Sequence, residues 1–220
     1  MKIGKKALWV LGWLISFTAF AQSTDFEEGK HYQRLPVEME ENELVQELKK
    51  DSAKKIQVLE FFSYGCSWCY RLDDDVENWR KKNSSKVFFQ RVPVEFQPAW
   101  GLLSKAYYTQ LNLKVVDKIH SPLFEAIQSD KINPLSEKTL ARFFEERGVK
   151  KEEFQRAFDS FEIKNQQKWA NALSRALHIT AIPALVVITP KGSFISSVRA
   201  AGSEEDLFKV VDHLIEQGAK

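Results

Sequence analysis

The chain has 220 residues, of which 44% are hydrophobic and 28% charged, and its 32 basic side chains nearly balance the 30 acidic ones. This composition is typical of a globular protein and excludes a disordered, collagen-like or disulfide-stapled chain. The small net charge gives no indication of a nucleic acid or an anionic membrane surface as a partner.

The N-terminus has the three zones of a secretory signal peptide. A positive region, 1–6, precedes an apolar stretch, 7–17, and the small-residue motif at 19–21. The alternative is an uncleaved membrane anchor, but even when extended to Ala21 the apolar stretch has about 15 residues, fewer than the ~20 that span a bilayer. We therefore expect a signal peptide over 1–21, cleavage after Ala21, and export to the periplasm, where disulfides persist.

The sequence contains two cysteines, Cys66 and Cys69, so neither has a distant partner with which to staple the fold. An exported protein with a single Cys-x-x-Cys and no structural bridge is typical of a redox catalyst. The alternatives are an inert pair and a zinc site, although a structural zinc ion usually takes four Cys or His ligands. The histidines lack metal-binding spacing and are expected at the surface or as caps: His31, His120, His178 and His213.

The residues around the cysteines predict a strand–helix–strand unit. Residues 56–62 are apolar and rich in β-branched and aromatic side chains, which predicts a buried strand, and 86–94 predict another. A helical pattern begins at Cys66 between them. Because a helix N-terminus lowers the pKa of a thiol placed there, we expect Cys66 to be the exposed, reactive sulfur. Cys69, one turn further on, would be shielded and would resolve mixed disulfides.

From Trp100 to about Ala172 the sequence shows helical periodicity and no strand pattern. Ser136 is suited to cap one of these helices, and Gly148 to end it. A following apolar face is predicted from Phe154, Ala157, Phe158 and Phe161.

The C-terminal part predicts a hairpin of strands 184–189 and 194–199, followed by a helix over 203–216. Before the first cysteine-proximal strand, the mature chain has room for one small strand and a linker. Such a short segment leaves little room for an N-terminal dimerisation domain, so we expect a monomer.

Residues 58–70 (VLEFFSYGCSWCY) resemble the active-site segment of the DsbA family of periplasmic thiol:disulfide oxidoreductases. The resemblance implies an α/β, thioredoxin-like fold with an inserted α-helical domain. We assign 22–97 and 173–220 to the thioredoxin-like domain and 98–172 to the insertion. Residues 180–187 (TAIPALVV) resemble the family's cis-proline loop, which implies a cis bond before Pro183; the alternative is a trans proline at a strand entry.

Glu60 is an acid within the apolar strand, where a charge is costly unless it is paired. The resemblance implies a buried acid that relays a proton from the resolving cysteine, and burial would raise its pKa. The alternative is that Glu60 points to solvent from a sheet edge. The family often places a lysine beside this acid, where alignment puts Arg91, which does not release its proton.

The resemblance implies a dithiol oxidase that donates the Cys66–Cys69 disulfide to reduced exported proteins. No metal or organic cofactor is needed, and re-oxidation is expected from a membrane quinone-linked, DsbB-like thiol oxidase. Substrate is expected to bind at Ser67, Trp68 and Ile182, with catalysis by Cys66, Cys69, Glu60 and Pro183. The alternatives are a periplasmic disulfide reductase or isomerase, and a non-catalytic thioredoxin-like chaperone module.

The dipeptide between the cysteines departs from the family, because the best-known members carry Pro-His where this chain has Ser67–Trp68. A histidine there holds positive charge near the thiolate, whereas an indole is neutral. We therefore expect a less oxidising disulfide than in a Pro-His relative. The alternative is that the Trp68 ring only packs on neighbouring apolar surface.

Overall fold

The computed structural model describes residues 26–52, 55–133 and 136–219. At its centre, five strands form one mixed sheet with the order β1-β5-β4-β2-β3. Strand β3 runs parallel to β2, and the other neighbouring pairs are antiparallel. The strands are β1 (Gln33–Arg34), β2 (Ile56–Phe62), β3 (Val87–Pro93), β4 (Ala184–Thr189) and β5 (Gly192–Ser196).

Helices cover both faces of the sheet and form the segment between β3 and β4. In chain order they are α1 (Val37–Glu40), α2 (Glu43–Ser52), α3 (Ser67–Asn83), α4 (Trp100–Asn112), α5 (Val116–Gln128), α6 (Glu137–Glu145), α7 (Lys151–Phe158), α8 (Phe161–Ala176), α9 (Val198–Ala201) and α10 (Glu204–Ala219). No helix in the described part of the chain is long and apolar enough to cross a membrane. The expected signal peptide, 1–21, lies outside the described residues.

Strand β2 is the structural centre because it is hydrogen-bonded on both sides, to β3 and β4, and all of its residues are buried. Successive strand residues face opposite sides of a sheet. Ile56 and Val58 accordingly join the core formed with α3 and α10, while Leu59 and Phe61 join the core formed with α2 and the inserted helices. This alternation places Glu60 on the same side as α3.

The predicted helical insertion is present as helices α4 to α8. Ser136 caps α6 by accepting a hydrogen bond from the Thr139 N–H at 3.3 Å, as its sequence position predicts. Phe154 and Phe158 are fully buried, but Phe161 is 74% exposed because it begins α8 instead of continuing the face of α7. The insertion limits, 98 and 172, stay a proposal, since α8 runs through residue 172.

The second hairpin strand differs from the prediction over 194–199. Strand β5 begins at Gly192, which pairs with Thr189 across a two-residue turn, and it ends at Ser196. The chain then leaves the sheet because the Ser197 side chain accepts a hydrogen bond from the Ala200 N–H and caps α9. A side-chain cap therefore overrides the β-propensity of the following residues.

The N-terminal segment contains more structure than one small strand and a linker. Beside β1 it forms α1 and α2, and α2 buries Val45 and Leu48. The three-residue spacing of these two apolar side chains is typical of a helix and was available in the sequence.

Candidate active site

Cys66 stands at the N-cap of α3, in the extended conformation that N-cap residues adopt. Its sulfur accepts a hydrogen bond from the Cys69 N–H at 3.2 Å, and its own N–H donates to the Ser63 carbonyl at 3.0 Å. The sulfur therefore occupies the place of a helix-capping side chain, where unpaired N–H groups favour a negative charge. Both cysteines are free thiols.

The two thiols have opposite pKa shifts. The Cys69 S–H donates to Cys66 and, with the Cys69 and Trp68 N–H groups, lowers the pKa of Cys66 to about 7 against the opposing effect of burial. Burial, the hydrogen bond to Cys66 and the nearby negative charges raise the pKa of Cys69 well above its usual range. Cys66 is therefore the more acidic thiol of the pair.

Cys66 is less exposed than expected. It retains 9% of its surface, while Cys69 retains none. The loop before β4 contributes to this cover, because the Ile182 carbonyl oxygen lies 3.9 Å from the Cys66 sulfur. The peptide bond between Ile182 and Pro183 is cis, as the family resemblance implies, and the alternative of a trans proline is wrong.

The side chains between the cysteines point outward. Ser67 is exposed, and Trp68 is 58% exposed. The Arg71 guanidinium lies 4.5 Å from the centre of the Trp68 ring, and Arg71 also pairs with Glu204 at 3.4 Å. Arg71 is a cation that the sequence-based expectations for Trp68 did not include, although a three-residue spacing on a helix brings two side chains together.

Glu60 is 1% exposed and accepts a 2.8 Å hydrogen bond from Arg91 Nε. The two residues are direct partners in the parallel β2–β3 register. The alternative of a solvent-facing Glu60 at a sheet edge is therefore wrong, because β2 is an interior strand. Burial raises the pKa of Glu60 to about 7, and this effect exceeds the opposing one of Arg91.

Arg91 binds three carboxylates at once. Besides Glu60, its Nη2 donates to Asp73 at 3.0 Å and its Nη1 donates to Glu77 at 2.7 Å. Asp73 and Glu77 lie one turn apart on α3, on the helix face that meets β2 and β3. Glu77 also accepts a hydrogen bond from Arg80 Nε at 2.8 Å, so two guanidinium groups face three acids. The remaining negative charge explains why Asp73 and Glu77 both raise the pKa of Glu60.

The expectation that all four histidines are surface or capping residues is wrong for His120. This side chain is 2% exposed. Its Nε2 lies 2.9 Å from Asp73 Oδ1, and its Nδ1 lies 2.6 Å from the Tyr64 hydroxyl. Burial and the Arg91 charge lower the pKa of His120, so the imidazole is neutral at pH 7.

Comparison with known proteins assigns the family. The thiol:disulfide interchange protein DsbA of Pseudomonas aeruginosa is 31% identical over 201 residues, which cover 91% of this chain and 90% of that protein. The chain belongs to the DsbA family. A DsbA relative from Azotobacter vinelandii is 33% identical over 74% of this chain and 75% of its own length. The crystal structure of Pseudomonas aeruginosa DsbA matches with a TM-score of 0.74 and 30% identity, covering 89% of this chain and 95% of that chain.

The family model for a DSBA-like thioredoxin domain matches residues 103–207, a range that begins after the two cysteines. Together with the full-length DsbA relatives, it confirms the thioredoxin-like fold with a helical insertion. The protein is thus a disulfide oxidoreductase. The roles of individual side chains rest on the geometry described above and are proposals.

The Cys69 S–H donor provides a test of the thiolate environment. In Cys69→Ala the donor is lost, so we expect the pKa of Cys66 to rise above the value of about 7 in the reduced protein. Cys69→Ser keeps an O–H donor at the same place and is the matched control, with a smaller rise. Thiolate ultraviolet absorbance against pH measures both. An unchanged pKa in Cys69→Ala would contradict the dominant role of this hydrogen bond.

Proposed function

We propose that the protein is an exported dithiol oxidase that passes the Cys66–Cys69 disulfide to reduced proteins. The observation that carries this proposal is the opposite shift of the two thiol pKa values. A low pKa stabilises the reduced form, in which Cys66 is a thiolate, and so makes the disulfide a stronger oxidant.

In the first step a substrate thiolate attacks Cys66 of the oxidised pair. A bond forms between the substrate sulfur and Cys66 Sγ, the Cys66–Cys69 bond breaks, and the electron pair goes to Cys69 Sγ. Because the Cys69 thiolate is buried and unfavourable, it takes up a proton. In the second step another substrate thiolate attacks the substrate sulfur, and Cys66 leaves as a thiolate. The substrate loses two electrons and the enzyme gains them.

Glu60 is proposed to supply the proton that Cys69 takes up. The negative charge of Glu60 is one of the causes that raise the pKa of Cys69, after burial and the effects of Cys66, and this electrostatic coupling supports the proposal. With a pKa of about 7, Glu60 exchanges a proton near neutral pH, as a general acid and base requires. In re-oxidation the direction reverses, and the Glu60 carboxylate accepts the proton of Cys69.

Substrate is proposed to bind across Ser67, Trp68, Ile182 and Pro183. The cis-proline loop supplies backbone groups beside Cys66, which suits an extended peptide that pairs with the main chain. Trp68 offers one exposed aromatic face, since Arg71 lies over the other. An apolar ring with free surface favours unfolded chains, whose hydrophobic side chains are accessible.

The proposed setting is the periplasm, after cleavage of a signal peptide behind Ala21. The partners are reduced exported proteins and a membrane quinone-linked, DsbB-like oxidase that restores the disulfide. The protein is proposed to act as a monomer without a metal or organic cofactor. These assignments follow from the signal-like N-terminus and the family.

Stoichiometric disulfide transfer tests the oxidase function. We expect the oxidised protein to convert one equivalent of a reduced two-cysteine peptide to its disulfide, measured by mass spectrometry, while the enzyme becomes a dithiol. Cys66→Ser is the matched control and forms no product. If the peptide stays reduced while the reduced enzyme cleaves peptide disulfides readily, the alternative of a reductase is correct.

Glu60→Gln tests the proton relay. We expect the rate at which Cys69 displaces a small thiol from a mixed disulfide on Cys66 to fall on the order of 100-fold, the low end of general acid–base catalysis. The inflection of that rate near pH 7 should disappear with the carboxyl group. Equal rates and equal pH profiles in the two proteins would show that Glu60 transfers no proton.

The same variant makes a stability prediction. The folded pKa of Glu60, about 7, lies above its ordinary value, so wild type loses stability from this group as pH rises from about 4.5 through 7. Glu60→Gln has no such loss. Its free energy of unfolding relative to wild type should therefore increase from about pH 5 to about pH 8 in denaturant titrations.

Trp68→His tests the effect of the dipeptide on the redox potential. A protonated imidazole near the Cys66 thiolate should stabilise the reduced form and make the potential more oxidising by about 30 mV, equivalent to one pKa unit. Trp68→Phe keeps a neutral ring and should leave the potential close to wild type. A Trp68→His protein with an unchanged or more reducing potential at acidic pH would refute the electrostatic argument.

A further inference from the structure

His120 lies in the middle of a chain of buried hydrogen bonds that begins in the insertion and ends at Glu60. Gln110 Nε2 donates to the Tyr64 hydroxyl at 2.9 Å, and that hydroxyl lies 2.6 Å from His120 Nδ1. On the other side of the ring, Nε2 lies 2.9 Å from Asp73 Oδ1. The same oxygen accepts from Arg91, whose Nε donates to Glu60.

The proton positions in this chain follow from its chemistry. Hydrogen bonds from His120 and Ser121, together with the charge of Arg91, keep the pKa of Asp73 below its usual range, so Asp73 is an acceptor only. His120 Nε2 therefore carries the proton and donates to Asp73. In the neutral ring Nδ1 then has a lone pair, which accepts from the Tyr64 hydroxyl. The Tyr64 hydroxyl also lies 3.2 Å from Gln110 Oε1, but its single proton goes to the shorter contact with Nδ1, and Gln110 then acts as the donor through Nε2.

One end of the chain holds the loop before the reactive cysteine. Tyr64 is two residues before Cys66, and α5 binds it twice. His120 accepts from its hydroxyl, and Gln128 Nε2 donates to its carbonyl at 2.7 Å. A side chain in the insertion thus fixes the loop that presents the nucleophile.

The other end holds the acids that Arg91 binds. Asp73 Oδ2 accepts from Ser121 at 2.9 Å, so together with His120 and Arg91 every oxygen of this carboxylate is occupied. A neutral donor fixes Asp73 without cancelling its charge, whereas an imidazolium would add a positive charge within contact distance. The charge of Asp73 therefore continues to act on Glu60.

We propose that His120 is a positioning residue for disulfide exchange, whose neutral imidazole fixes Tyr64 in the active-site loop and Asp73 in the charge cluster that tunes Glu60. This inference rests on the relay proposed above for Glu60. His120 touches neither cysteine and acts through Tyr64, Asp73 and Arg91. The competing explanation is a packing role, since the ring also contacts Phe62 and Phe124 edge-on.

A polar cleft between α3 and α5 borders His120 and gives protons from the solvent a route to the ring. The cleft is lined by Asp74, Glu77, Arg80, Lys81, Asp117, His120 and Ser121 among others. The charged groups that act on the ring are Arg91 from β3, which opposes protonation, and Asp73 and Glu77 from α3, which favour it. Tyr64 and Tyr107 face it as neutral phenols, because burial raises the pKa of both hydroxyls.

Two substitutions separate the two hydrogen bonds. His120→Asn places an amide oxygen near the position of Nδ1 and keeps an acceptor for Tyr64, but it does not reach Asp73. His120→Gln reaches Asp73 with an amide N–H near the position of Nε2 and gives up the Tyr64 contact. The readout is the pH profile of the rate at which Cys69 resolves a mixed disulfide on Cys66.

In His120→Asn we expect the inflection near pH 7 to move upward by about half a pH unit. The Asp73 carboxylate loses a hydrogen-bond donor there, so its negative charge acts more strongly on Glu60 and raises the pKa of Glu60. In His120→Gln the inflection should stay within about 0.2 units of wild type while the rate falls, since the loop is less well held. His213→Gln, on α10, is the histidine control. Phe158→Leu, in the core of the insertion, is the stability control, and neither should move the inflection.

Equal profiles for both His120 variants and Phe158→Leu would overturn the proposal and return His120 to a packing role. The tautomer gives a second readout that does not depend on Glu60. Imidazole ¹⁵N chemical shifts of the reduced protein should show a neutral ring protonated at Nε2 at pH 7, and a ring protonated at Nδ1 would also overturn the proposal. If Glu60→Gln keeps the wild-type inflection, the proposed proton relay by Glu60 is wrong. The ¹⁵N measurement of the His120 tautomer still tests the hydrogen bonds proposed for His120.

Discussion

The hydrogen bond from the Cys69 thiol to the Cys66 sulfur is the interaction on which the site depends. It assigns the negative charge to one sulfur and the proton to the other, and the N-cap position of Cys66 adds backbone donors to the same end. Burial of Cys69 strengthens this difference between the two sulfurs. A thiolate at Cys69 would lose its hydration and would lie next to the negative charge of Cys66, so both effects raise the pKa of Cys69. The leaving group, the resolving thiol and the need for a proton relay all follow from this asymmetry.

In the buried charge cluster between β2, β3 and α3, one guanidinium binds three carboxylates. Arg91 is 3% exposed and keeps its proton, so it cannot pass protons as a lysine could, and its effect on Glu60 is electrostatic. Because Asp73 and Glu77 share the same cation, Arg91 does not fully neutralise Glu60. A buried acid with an incompletely compensated charge holds its proton to near-neutral pH, which is the property that a relay beside Cys69 requires.

The parts of the fold encoded by nearby residues were predictable from the sequence. Strand β2 and the N-cap position of Cys66 follow from apolar runs and a Cys-x-x-Cys at a helix start, and both agree with the structure. The partners of Glu60 and His120 were harder, because Arg91 is 31 residues from Glu60 and Asp73 is 47 residues from His120 along the chain. Such contacts depend on strand register and helix packing, which no local pattern contains. Alignment with the family located Arg91, but no comparable cue pointed to His120.

The equilibrium redox potential of the Cys66–Cys69 pair against glutathione tests the account most directly. The asymmetry between the two thiols stabilises the reduced form, so we predict a potential nearer to about −120 mV, the value of a strongly oxidising DsbA, than to about −270 mV, that of thioredoxin. The neutral Trp68 should place it on the less oxidising side of the first value. A potential close to that of thioredoxin would contradict the oxidase function and show that the thiolate of Cys66 is not stabilised as the geometry indicates.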